Sequence, residues 1–257
     1  MSTIQVEARE RIATVTLSNP GKLNALDVKA WQGLARIFSE LSADDDLRCI
    51  ILRGEGGNFA AGADIEEFPD VRFTTEQGIQ YHTVTIANAL HAVLHCPHPT
   101  IAAIEGVCVG GGMELASVCD LRIAHSASRF GIPINRLGFP LAPGEMVGLL
   151  QLVGRAVTLE ILLEGRVFGA AEAMQKGLLN RIVEDVPDEA WRSAQRIAQG
   201  APLAARMNKQ QVRRLSPVAA PLTDTELRAA FAYFESDDHK EGIRTFLAKT
   251  KPVFTGK

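Results

Sequence analysis

Two short stretches concentrate residues whose types and spacing could do chemistry. The segment GVCVGGGMELASVCD, from Gly106 to Asp120, runs three consecutive glycines into Met113 and a lone glutamate, Glu114. The second, NFAAGADIEEF, from Asn58 to Phe68, is a glycine- and alanine-rich loop leading into an acidic helix start. A phosphate-binding role for the glycines fails on spacing. No Gly-Lys-Ser/Thr follows the triplet, and neither GGGMEL nor GEGGNF supplies G-x-G-x-x-G. What remains is a helix start whose unpaired backbone N–H groups point outward. A glycine there lets a ligand oxygen approach closely. Such donors stabilise a carbonyl oxygen that gains negative charge, typically by about 3–4 kcal/mol per donor. Glu114, three residues after Gly111, falls on about the same helix face and could move a proton beside that oxygen. A plainer reading stays open: the glycines permit close packing and Glu114 is solvated.

Other residues invite chemistry less convincingly. His91 and His95 are four apart with His98 just beyond, which is metal-ligand spacing. No acid accompanies them, and Pro97 ends the helix there, where histidine is favoured by the helix dipole. The expectation is no metal. Cys49, Cys96, Cys108 and Cys119 show no CxxC spacing and read as reduced core thiols. Asp44, Asp45 and Asp46 read as a solvated turn, Asp120 as structural, and Trp31 and Trp191 as core. Arg136, beside Asn135, could face a pocket.

The elements that must position these residues are legible from periodicity. Ile4–Ala8 and Ile12–Leu17 alternate like a hairpin. Asp27 is placed to cap a helix with apolar residues at Val28, Trp31, Leu34, Ile37, Phe38 and Leu41. RCIILRG is a short buried strand, GIQYHTVTIANALHAVLHC a helix, PTIAAIEGVCVGGG a strand and turn, MELASVC a helix, and DLRIAHSASRFG a pair of short strands. The first two-thirds thus repeats a strand–strand–helix rhythm. From Pro143 the chain is mainly helical, in GEMVGLLQLVG, AVTLEILLEG, AAEAMQKGL and Asp188–Gly200, with more helix from Thr223 to Ala248. RRLSPVAAPLTD is the best hinge candidate. This α/β pattern divides into a core over residues 1–195 and a helical C-terminal region over 196–257.

Together, NFAAGADIEEF and GVCVGGGMELASVCD resemble the paired signature of the crotonase (enoyl-CoA hydratase/isomerase) superfamily. NPGKLNAL, ILLEGRVFGAAEAMQKGLLNRIV and YFESDDHKEGIRTFLAKTKP are similar to its other segments, in order, over nearly the whole chain. The resemblance implies a spiral of ββα turns followed by helices used in trimerisation, and a homotrimer or homohexamer. It implies that the N–H groups of Ala63 and Gly111 bind the carbonyl of an acyl-CoA thioester, with Glu114 catalytic. It implies that Ala61, Asp64 and Ile65 line the path of the adenine and pantetheine, with Lys22 and Leu23 nearby. Phe246 and Lys249 match positions where the C-terminal helix covers the CoA nucleotide, often from a neighbouring subunit. No cofactor is implied beyond the coenzyme A of the substrate. The pattern departs from the hydratases at one position: where FGxPE would place a second glutamate, RFGIPIN has Ile134. The acid that some isomerases carry eight residues further on is replaced by Ala142. Glu145 lies close by as a candidate second acid, although a solvated first-turn residue favoured by the helix dipole is the simpler expectation.

Composition narrows the alternatives. The 257 residues are 46% hydrophobic and 22% charged, enough for a sizeable core without staples. A net charge of −3 and the lack of a basic stripe argue against nucleic acid. By local pattern no apolar run approaches the length of a membrane span, and MSTIQVEARE has no targeting character, so the expectation is a cytoplasmic protein that binds no membrane. The tail carries more apolar residues than a lone surface layer needs, at Phe231, Tyr233, Phe234, Ile243, Phe246 and Leu247. Two functions follow: an acyl-CoA enzyme of hydratase/isomerase type with one clear glutamate, or a CoA-thioester-binding protein without efficient turnover.

Overall fold

The computed structural model describes residues 2–216 and 220–257. Strands β1 (Thr3–Arg9) and β2 (Ile12–Ser18) form the expected hairpin, turning through Glu10 and Arg11, both at positive φ. Helix α1 (Val28–Ser42) starts at Asp27, whose carboxylate accepts from the Ala30 N–H at 2.8 Å. Strand β3 (Cys49–Gly54) follows, then helices α2 (Phe68–Val71), α3 (Thr75–Gln80) and α4 (Ala87–His95). A π-helical stretch, Tyr81–Ile86, joins α3 to α4. Next come β4 (Thr100–Ile104), β5 (Val107–Val109), α5 (Gly111–Val118), β6 (Leu121–His125), β7 (Arg129–Gly131) and α6 (Pro143–Glu164). Then β8 (Phe168–Gly169), α7 (Ala170–Gln175), β9 (Arg181–Val183), α8 (Val186–Ala198), α9 (Pro202–Leu215), α10 (Asp224–Ala230) and α11 (Asp237–Leu247) complete the chain.

Each strand–strand–helix turn adds to two sheets. The larger has the order β1-β2-β3-β4-β6-β9, all parallel after the first hairpin; the smaller is β5-β7-β8. Side chains alternate across the larger sheet and so define two cores. Ala13, Val15, Ile50, Leu52, Ala102 and Ile104 face one way, onto the main core with Trp31, Leu34 and Phe38 of α1. Ile12, Cys49, Ile51, Ile101, Ala103 and Ile123 face the other way, under Val186, Ala190 and Ala194 of α8. All four thiols are buried and unpaired.

Several expectations need correction. The short strands of DLRIAHSASRFG do not pair with each other: β6 joins the large sheet and β7 the small one. Helix α9 and the brief strands β8 and β9 carried too little pattern to be expected. Helix α8, which contains residue 195, roofs the large sheet. The hinge candidate straddles 217–219, which lie outside the described residues. Of the apolar tail residues, Phe231 and Phe234 are buried against Ala142, whereas Phe246 and Leu247 are exposed. Finally, α6 has 22 residues and is by length and composition long enough to cross a membrane, contrary to the expectation that no run was. Gly154, at φ 73° and ψ 174°, breaks its helical geometry midway, as the separate GEMVGLLQLVG and AVTLEILLEG patterns imply.

Candidate active site

The glycine triplet turns the chain from β5 into α5. Gly110 holds φ +51°, a conformation side chains disfavour, and its N–H donates to Gly131 O at 2.9 Å across to β7. Gly112 is required by contact: a Cβ there would lie 2.4 Å from Ala60 O. The loop bearing Ala60 is held on both sides. Val109 N–H donates to Ala60 O at 3.1 Å, Leu26 N–H to Gly62 O at 2.7 Å, and Asp64 N–H to Leu26 O at 2.9 Å. In that extended pairing the Ala63 N–H points the other way. Neither it nor the Gly111 N–H has a hydrogen-bond acceptor among the described residues. The two nitrogens are neighbours, because a Cβ on Gly111 would sit 3.6 Å from Ala63 N, and one on Gly62 would sit 3.3 Å from Gly111 N.

Both groups border a cavity of about 90 Å³. Its walls are mostly apolar: Trp31, Ala61, Ile65, Phe68, Ile134 and Leu141. Five ionisable side chains interrupt them: Arg72, Tyr81, His82, Glu114 and Glu145. Glu114 is buried in the first turn of α5 and its Oε2 has no partner. Glu145 comes from the first turn of α6, and its Oε1 lies 2.6 Å from His82 Nδ1. His82 belongs to the π-helical stretch, which widens the helix and adds Tyr81, His82 and Ile86 to the cavity wall. Such irregularities recur at functional sites.

The electrostatics follow from burial. Removal from water pushes the Glu114 carboxyl well above its ordinary value; the charge of Glu145 adds to this and Arg72 opposes it. Burial lifts Glu145 to about 8, with Arg72 and a backbone hydrogen bond at Ala142 pulling the other way. Burial, then the positive charge of Arg72, hold His82 far below the normal imidazole range, so it is neutral. The cavity therefore holds two carboxyls poised between acid and base, one of them touching a neutral imidazole.

The whole sequence was compared with known proteins. The family model described as enoyl-CoA hydratase/isomerase matches residues 7–257. The chain belongs to the enoyl-CoA hydratase/isomerase family. It is 37% identical over 257 residues to a Mycobacterium bovis protein named "Probable enoyl-CoA hydratase echA8", with 98% of each chain covered. It is similar to the crystal structure of an enoyl-CoA hydratase/carnithine racemase from Magnetospirillum magneticum, at 45% identity and TM-score 0.82, covering 100% of this chain and 97% of that one. Methylmalonyl-CoA decarboxylase in complex with 2-nitronate-propionyl-CoA is similar at 29% identity and TM-score 0.88, covering 99% and 98%. The spiral of ββα turns with its helical C-terminal region is thus the crotonase fold.

Within this family member, the structure brings some of the expected residues together and leaves others apart. Ala61, Ala63, Ile65, Gly111, Glu114 and Glu145 all line one cavity. The expectation of a solvated Glu145 is overturned, because it is buried and paired with His82. Asp64 caps the turn at Ile65–Glu67 and accepts from Lys22 Nζ at 2.6 Å; Lys22 also reaches Glu66 at 2.7 Å. Leu23 is half exposed in a left-handed conformation on a separate surface depression. Phe246 and Lys249 lie outside the cavity, with Lys249 close enough to Glu66 to favour its charge. Arg136 does not line the cavity, and Asn135 bonds to Leu163 O instead. Trp31, expected as core, is both fully buried and part of the cavity wall. Sequence reading missed Arg72 and His82. The only available signal was an arginine and a histidine inside otherwise apolar helical patterns.

Proposed function

We propose that the chain catalyses hydratase/isomerase-type chemistry on an acyl-CoA thioester through an enolate held by the N–H groups of Ala63 and Gly111. The observation that carries this is the pair of unpaired, adjacent N–H groups beside the buried Glu114. As charge moves onto the thioester oxygen, two fixed donors meet it in a cavity from which water is largely excluded. Glu114 adds or removes the proton at carbon. Glu145 is the second proton-handling group, taking the part that Ile134 cannot. Two carboxyls with raised proton affinity can differ in protonation, one giving while the other takes. The neutral imidazole of His82 orients Glu145. This supports turnover over the inert-binder reading, since a protein that only bound CoA thioesters would have no use for two costly buried carboxyls. No cofactor enters beyond the coenzyme A of the substrate.

The test is a panel of 2-enoyl- and 3-enoyl-CoA thioesters, followed by absorbance and by product analysis, with thermal shift as the binding readout. Binding with conversion of at least one series is expected. A flat thermal response to all of them at millimolar concentration would remove the reading.

A further inference from the structure

Arg72 follows α2 and is only 2% exposed. Its guanidinium carbon lies 4.3 Å from the ring centroid of Phe68 and 4.3 Å from that of Phe139, with Phe234 at 5.0 Å. The rings stand at about right angles around the cation, with Phe68 and Phe139 6.2 Å apart, and favour its charge. Rings do not replace acceptors for its five N–H donors. One of these reaches Tyr233 Oη at 3.3 Å, and Nε has no partner. Arg72 forms no ion pair among the described residues, whereas Lys22, Arg166 and Lys209 all do. An arginine stays charged in a protein interior, and a buried charge without a counter-ion is costly. Evolved cores rarely keep one without use, and this one lines the cavity that holds Glu114 and Glu145. The other groups facing it are Tyr233, Tyr81, the neutral His82 and His239, and the two carboxyls, whose ionised forms favour its charge from a distance. Neither carboxyl pairs with it.

We infer that the missing counter-ion arrives with the substrate: the acyl group ends in a carboxylate, which the edge of Arg72 receives. The substrate class is then the CoA monothioester of a short dicarboxylic acid. This rests on the enolate reading of the same cavity and adds the identity of the acyl end. The carboxylate is kept through the reaction rather than lost as carbon dioxide. An arginine pair is strongest while the carboxylate is charged and weakens as it leaves, so it would hold back decarboxylation rather than assist it. The surrounding rings and the hydrogen bond to Tyr233 restrain the guanidinium in advance, so less freedom is lost on pairing. Arg72 also borders a second cavity of about 260 Å³, lined by Lys240 and Arg244, which pair with Asp237 and Glu241, and by His239, which burial keeps neutral.

The test uses saturated, unreactive thioesters in pairs of equal chain length: glutaryl-CoA against pentanoyl-CoA, and adipyl-CoA against hexanoyl-CoA. Calorimetry on the wild type should show the carboxylate-ended member of at least one pair binding tenfold or more tightly. In Arg72→Met that ratio should fall to near one, and Arg72→Lys should keep part of it. Equal binding within both pairs in the wild type, or an unchanged ratio in Arg72→Met, would overturn the inference while leaving the enolate reading intact. No binding of any thioester would remove both. Should the variants not fold, the wild-type ratios decide alone.

Discussion

At the residue scale, burial makes Glu114 and Glu145 hold protons that they would release in water. Glu114→Gln keeps the shape but cannot exchange a proton, and we expect turnover to fall about 10²-fold or more while thioester binding persists. Glu145→Gln should also cost more than about tenfold, and steady-state kinetics on both variants check this. Unchanged turnover in Glu145→Gln would return it to a structural role. The paired carboxyls should give a bell-shaped dependence of kcat/KM on pH, with apparent values belonging to the pair rather than to either residue. The alkaline limb should lie near the value of about 8 that burial gives Glu145. Stability carries the opposite sign from the usual carboxylate case. The folded-state values of Glu114 and Glu145 are raised, so the unfolded chain binds fewer protons above about pH 4.5. The contribution of Glu145 to folding free energy should be highest below that pH, fall by up to about 1.4 kcal/mol per pH unit until about pH 8, and level off above it; Glu114 acts in the same direction. Acid unfolding of the remaining surface ion pairs is a separate effect, so the diagnostic is a smaller slope in Glu145→Gln by urea titration.

At the element scale, backbone geometry rather than side-chain variety creates the site. Gly112→Ala would drive a methyl into Ala60 O, and Gly111→Ala would press on Trp31 at 2.8 Å. Backbone cannot yield cheaply at Ala60, so Gly112→Ala should cost about 1–3 kcal/mol and shift the Ala63–Gly111 spacing. Thermal unfolding and loss of turnover together check it. Much of this level was legible in the sequence. Alternation gave β1 and β2, the 3.6-residue period and Asp27 gave α1, and the glycine triplet with its glutamate pointed at the cavity. What stayed hidden depends on tertiary contact. Ile134 suggested a site short of one acid, because the approach of Glu145 to His82 joins residues 63 apart in sequence. The pairing of β6 and β7 in different sheets is likewise invisible to local pattern. The tail's apolar residues foretold packing but not which packing, since Phe231 and Phe234 close onto their own chain.

At the scale of the whole molecule, apolar surface is exposed in the tail, at Phe246, Leu247 and Val253, and on α6 and α9. Leu163, Leu203, Met207, Val212 and Leu215 are all exposed there. We expect this face to be covered by further copies of the chain, as a homotrimer or homohexamer; light scattering at micromolar concentration that gave a monomer would refute it. The negative charge proposed to develop between Ala63 and Gly111 can be tested without knowing the natural reaction. A saturated acyl-CoA incubated with the enzyme in D₂O should exchange its α-hydrogens for deuterium, because enolate formation needs only the Ala63 and Gly111 donors and the Glu114 carboxylate. Mass spectrometry should show catalysed exchange by the wild type and a loss of about 10²-fold or more in Glu114→Gln. Exchange no faster than in buffer, with the thioester shown to be bound, would contradict the account.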